Sequence, residues 1–269
     1  MTSKCQKINS HFSYKNNKNK PLYKDSNIKN IRMTCVYLFN YDDNKKIIVS
    51  SKTVDYGNSS FAKNTEIWEK ESLNIFYNLV NKNENVNIVD IGANVGLYSL
   101  YAKHLPKSQF YSFEPFKFTY DLLNDNIKLN DIINVKTYNL GLADKKGKTI
   151  LNVCLSHDGL NTMGENPLRF NDIKPIEVEI DTLDNIFFNN NIKVDFIKID
   201  TEGYEYFILK GGEQTIKTYK PIIQLEFNET NMRQCNLYPK ELYNYIMELG
   251  YKIHNLTNEE LIIVPNSYI

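Results

Sequence analysis

The chain has 269 residues, with 32 basic and 32 acidic side chains, and this balance offers no positive field to gather nucleic acid or another polyanion. Its length is enough to bury one α/β core with an N-terminal extension, but would be cramped for two large domains. Cys5, Cys35, Cys154 and Cys235 form no C-x-x-C pair, which argues against a structural zinc site and for reduced thiols in a cytoplasmic compartment. No apolar run reaches the length of a membrane span, and the polar start has no secretory core.

In chain order, residues 1–30 are rich in Lys and Asn and poor in aliphatics, the composition of a flexible tail. In 31–65, the runs TCVYLFN and KIIVSS flank Tyr41-Asp42-Asp43-Asn44, which predicts a β-hairpin. That hairpin is expected to cover a sheet edge or form a dimer contact. Glu66 to Val80 carries apolar residues at mostly helical spacing, with Thr65 as a cap, and opens a main domain over 66–269.

The run NIVDIGANVGLYSLYAKHL, Asn87 to Leu105, reads as a buried strand, a tight turn and an amphipathic helix. Gly92 and Gly96 permit a sharp turn and close approach to a ligand. Their spacing is G-x-x-x-G, neither the dinucleotide fingerprint nor a P-loop, so a phosphate cradle is disfavoured. A loop beside one acid, Asp90, suits a ligand with an amino-acid end and a positive centre, as in S-adenosylmethionine. Gly92, Ala93, Asn94 and Gly96 complete that expected cradle.

In QFYSFEPF a second strand ends in Glu114, 24 residues after Asp90, where α/β nucleotide sites place a carboxylate for ribose hydroxyls. Pro115 stops the strand. Phe116 and Phe118 either flank an adenine ring or pack under the following helix. NVKTYNLGLAD is expected to be a third strand leading to Gly141 and Leu142, whose backbone would meet the adenine edge. In VDFIKIDTEGYEYFILKGG, Val194 to Ile199 form a fourth strand, with Asp200, Glu202 and Glu205 at its end and on the next first turn, where acids also favour the helix dipole. Pro221 to Phe227 is the fifth strand, Pro239 to Leu249 a helix, and residues 250–256 with 261–264 a terminal hairpin. Strands alternating with helices and closed by a hairpin predict a doubly wound α/β sheet with an antiparallel last strand.

The ordered motifs VDIGANVGLYSL, FEP, LGLAD, FIKIDTEGYEYFILKGG and PIIQLE resemble those of the FkbM family of S-adenosylmethionine-dependent methyltransferases, over roughly residues 66–264. The resemblance implies a class I methyltransferase, Rossmann-like fold and methyl transfer to oxygen, often a hydroxyl of a sugar or secondary metabolite. It leaves the acceptor open. The expected function is O-methylation of a carbohydrate or glycan precursor. The alternatives are a non-sugar acceptor and a non-catalytic, cofactor-binding interaction protein.

Methyl transfer from a sulfonium is an in-line displacement that mainly needs alignment, and an alcohol acceptor also benefits from a base. Asp200 and Glu202 are the first candidates, because strand ends in open α/β sheets face the ligand crevice. His157 in the loop CLSHDGLNTMGEN and Glu226 at the end of the fifth strand follow. A divalent metal on Asp200, Glu226 and Asn228 is the rival reading of these oxygens; hydrogen bonding serves as well, and no metal is called. A nucleic-acid methyltransferase would show N-P-P-Y or Pro-Cys, and a dehydrogenase G-x-G-x-x-G at Gly92; neither pattern is present.

Overall fold

The structure, a computed structural model, describes residues 31–42, 45–54, 70–155, 159–165, 172–256 and 259–268. Two β-strands come first, β1 (Ile31–Asp42) and β2 (Lys45–Val54), paired antiparallel. They form a two-stranded sheet of their own, and β2 runs beside the helix Lys117–Leu129 and the 3-10 helix Ser99–His104. Of the two expected roles, a sheet edge or a dimer contact, the first does not hold within this chain: among the described residues β1 and β2 pair only with each other. The tail 1–30 and the Thr65 cap fall outside the described residues.

The central sheet has seven strands in the order β11-β12-β10-β9-β3-β4-β5. Its parallel core is β5 (Val135–Tyr138), β4 (Gln109–Phe113), β3 (Asn87–Ile91), β9 (Phe196–Ile199) and β10 (Ile222–Glu226). β12 (Glu260–Pro265) runs antiparallel to β10, and β11 (Tyr251–Leu256) closes the hairpin. This is the doubly wound sheet with an antiparallel final strand that the sequence predicts.

Strands covered on both faces need apolar residues at successive positions, not alternation. Ile88 and Phe110 accordingly pack with α1 (Lys70–Val80), the 3-10 helix and α2 (Lys117–Leu129). Val89, Ile91, Tyr111 and Phe113 pack on the opposite face with α3 (Glu205–Lys210), α4 (Glu213–Tyr219) and α6 (Pro239–Glu248). The short α5 (Glu229–Gln234) follows directly after β10.

Towards the carboxyl ends one face turns polar. Ser112, Asp90, Lys198 and Gln224 are register neighbours across β4, β3, β9 and β10, and none is more than 2% exposed. This buried polar rung lies at the point where the chain reverses its strand order, the position at which open α/β sheets bind ligands.

Two further expectations need correction. The segment after Gly96 is a run of turns and a six-residue 3-10 helix rather than an amphipathic α-helix. Val95, Tyr98, Ser99, Leu100, Tyr101 and Ala102 are all buried, so it has no solvent stripe of 3.6-residue period. The expected third strand divides: β5 stays in the central sheet, whereas Gly141–Leu142 become β6 of a second sheet. That sheet, ordered β6-β8-β7 with β7 (Gly147–Cys154) and β8 (Ile173–Asp181), was not foreseen. Its two long strands pair across a connection too long to read as a hairpin turn.

Candidate active site

A cavity of about 390 Å³ opens at the carboxyl ends of β3, β4, β9 and β10, within the size range of small-molecule sites. One wall is the turn after β3. The N–H groups of Gly92 and Ala93 both donate to the Phe113 carbonyl, at 3.1 and 3.0 Å, which clamps the turn to β4. Gly92 has φ +77°, and an added Cβ would lie 1.8 Å from the Asp200 carbonyl oxygen. Only glycine lets the β3 turn pass so close to the end of β9.

Glu114 lines the same wall and is 5% exposed. Its Oε2 accepts from the Asn94 N–H at 2.9 Å, and its Oε1 from the Phe116 N–H at 2.9 Å and the Thr119 hydroxyl at 2.8 Å. Burial still outweighs these donors and lifts its pKa to about 7. Asp90, also lining the cavity, accepts from the Ser99 hydroxyl. Burial raises it to about 6, against the Ser99 hydrogen bond and the charge of Lys198.

The opposite wall holds Asp200, Glu202 and Glu226, one carboxylate oxygen of each lying within 4.8 Å of the others. Glu202 reaches in from a left-handed backbone, φ +55°, and its carbonyl accepts from the Thr162 hydroxyl at 2.9 Å. The Asn231 amide donates to Glu202 Oε2 at 2.6 Å and to Glu226 Oε1 at 3.0 Å. Burial first, then the charges of Asp200, Glu202 and Glu205, push Glu226 well above the ordinary carboxylate range. Lys198, fully buried on β9, donates to Glu260 at 2.9 Å and to Asp200 at 3.3 Å, and its ammonium lies 4.9 Å from the Tyr98 ring centroid.

The Methyltransferase FkbM domain matches residues 90–253, more than half of the chain. The chain belongs to the FkbM methyltransferase family. Methyltransferase sdnD of Sordaria araneosa is 30% identical over 167 residues, covering 51% of this chain and 64% of that protein. Methyltransferase 1 of Beauveria bassiana is 26% identical over 143 residues, covering 46% and 57%. The chain thus spans less than two thirds of the curated relatives it matches. Among solved structures, the methyltransferase FkbM from Methylobacillus flagellatus KT aligns at 18% identity and a TM-score of 0.45, covering 66% of this chain and 43% of that one. A putative caffeoyl-CoA O-methyltransferase from Staphylococcus aureus aligns at 15% and 0.46, covering 74% and 85%.

The FkbM match contains every candidate residue of the sequence, and the cavity gathers most of them: Asp90, Gly92, Ala93, Asn94, Glu114 and Pro115 on one wall, with Asp200, Glu202 and Glu226 on the other. Gly96 shapes the turn from outside the lining, with φ +96° and its N–H donating to Ala93. Gly141 and Leu142 do not line the cavity. They pair with β8, and the nearest neighbours of Gly141 are Ile180, Met163 and Pro115, so they sit behind the wall. Phe116 and Phe118 pack against each other in the core, 5.8 Å between centroids. Glu205 also stays out: 1% exposed, it accepts from Thr201 N–H and hydroxyl and from Gly203 N–H, and so pins the loop before α3. His157 lies outside the described residues, whereas its neighbours Gly159, Leu160, Asn161 and Met163 line the cavity.

Lys198, Glu260 and Asn231 escaped the reading of the sequence. For Lys198 a signal was there: a lysine inside an apolar strand must find a charge partner, since lone buried charges are too costly. Glu260 and Asn231 had none. They arrive from β12 and α5, and only the packing of those elements brings them to the site.

Proposed function

We propose that this chain transfers a methyl group from S-adenosylmethionine to a hydroxyl oxygen, and that the acceptor is a carbohydrate or glycan precursor. The supporting observation is the two-walled cavity. On the β3–β4 wall, Glu114 is held by three donors and keeps one free lone pair on Oε2, where a ribose hydroxyl would donate. Asp90 and the Gly92–Asn94 turn face the amino-acid end and sulfonium. On the β9–β10 wall, Asp200, Glu202 and Glu226 receive the acceptor. The acceptor oxygen forms its bond to the methyl carbon as the carbon–sulfur bond breaks. Its proton passes to a carboxylate, and S-adenosylhomocysteine leaves as a neutral thioether. A carboxylate whose pKa is raised by its surroundings is the better proton acceptor near neutral pH, which favours Glu226, with Asp200 and Glu202 orienting the alcohol.

A neutral, hydroxyl-rich acceptor suits a wall of carboxylates and Asn228, where the one cation among the described lining residues, Lys198, is already bound to Glu260 and Asp200. The test is to incubate the protein with a glycan pool, a small-molecule extract and S-adenosylmethionine labelled in its methyl group. Label on a sugar oxygen is the expected result. Label on nitrogen or on a non-sugar product would displace the acceptor assignment; no binding of the methyl donor would displace the whole reading.

A further inference from the structure

We propose that Glu260 is a specificity-determining residue: by pairing with the buried Lys198 it keeps the cavity receptive to a positively charged methyl donor, favouring S-adenosylmethionine over S-adenosylhomocysteine. The two ligands differ by one methyl group and one positive charge, on sulfur. The inference rests on the methyl donor occupying the cavity, as in the proposed function. Lys198 is the one cation among the described residues that line this cavity, and it is fully buried. It stands on β9 as the register neighbour of Asp90 on β3, the acid that faces the sulfonium in the proposed function.

An ammonium in that place works against a second cation. In a cavity of about 390 Å³ a ligand's charge lies within one Debye length, about 10 Å, of the lining groups, and buried charges are screened little. Glu260 answers the ammonium from β12. Its Oε1 accepts from Lys198 at 2.9 Å, closer than the 3.3 Å contact of Lys198 with Asp200. Its Oε2 accepts from the amide of Gln224, which is itself fully buried and also donates to the Ser72 carbonyl at 3.2 Å. The carboxylate is therefore fixed at both oxygens. Apolar residues of similar volume often serve a fold as well as a buried ion pair does. What this pair gives the cavity is a lysine that anchors Asp200 without adding net charge beside the donor.

The full chain is titrated calorimetrically with S-adenosylmethionine and with S-adenosylhomocysteine, and the ratio of the two affinities is the readout. It needs no acceptor, and contacts common to both ligands cancel. Glu260→Gln keeps the shape of the side chain but removes its charge, and should shift the ratio against S-adenosylmethionine by about threefold to tenfold. Lys198→Met should shift it the other way. The double variant, with both charges gone, should return to within about twofold of the unmodified chain. A pair that only braces the fold would weaken both ligands alike and leave the ratio fixed. Circular dichroism checks that each variant is folded, and either single variant decides if the other does not fold. An unchanged ratio in a folded single variant, or shifts of the same sign in both, overturns the proposal; so does failure of both single variants to fold, which would make the pair a structural brace. Binding of both ligands at an unchanged ratio leaves the proposed function standing, whereas binding of neither removes that reading as well.

Discussion

Glu114 and Glu226 are carboxylates at the carboxyl ends of strands in one sheet, yet the chain surrounds them in opposite ways. Glu114 meets the N–H groups of Asn94 and Phe116 and the hydroxyl of Thr119, all within about one turn of a strand end, so its donors follow from the local path of the backbone. Glu226 shares one amide with Glu202, faces Asp200 and has an oxygen with no donor. In the proposed function the first is a receptor whose donors are in place before the ligand arrives, and the second, a concentration of negative charge, is the reacting centre, where such perturbed groups cluster.

The largest expected effect comes from breaking the contact between the two walls. In Gly92→Ala the new Cβ would strike the Asp200 carbonyl at a φ that side chains rarely adopt, so a loss of about 3 kcal/mol or more, or failure to fold, is expected in denaturant melts. Gly96→Ala is the comparator: at φ +96° it is strained as well, but its Cβ meets a Leu123 methyl rather than backbone, so the loss should be smaller.

Next come the acceptor-side acids. Asp200→Asn and Glu226→Gln keep shape while removing charge, and the residue that handles the proton should lose about 10²-fold or more in kcat on the true acceptor. Cofactor affinity should change little. If both variants turn over normally, the β9–β10 wall only aligns the acceptor.

On the other wall, Glu114→Ala should weaken the cofactor by about 1.5–3 kcal/mol in calorimetry, since a ribose hydroxyl loses a charged acceptor. An unchanged affinity in a folded variant would place the ribose elsewhere.

The smallest effect is the pH dependence of that affinity. With Glu114 raised to about 7, its ionised form falls away as pH drops below that value, and only this form keeps the Oε2 lone pair open to a ribose hydroxyl. Affinity should therefore strengthen from pH 6 to pH 8 by up to about tenfold, or about 1.4 kcal/mol, and Glu114→Gln should flatten the curve.

The sequence by itself determined the elements whose cause is local. Ile88, Val89 and Ile91 had to form a doubly covered strand, Gly92 marked the turn, and Asp90, Glu114 and Glu226 stood where apolar runs ended, so both walls could be named from spacing. Only the tertiary structure decided which of these acids meet. Periodicity assigns a residue to a face of its strand, but a neighbour across the sheet depends on register, and register brought Ser112, Asp90, Lys198 and Gln224 into one buried rung. Glu202 and Glu205 stand three residues apart in one acidic cluster, of which the sequence nominates only Glu202, with Asp200, as a base. A left-handed residue and the close pass of Gly203 against Asn231 turn the first towards the cavity, and the backbone donors of its own loop hold the second away.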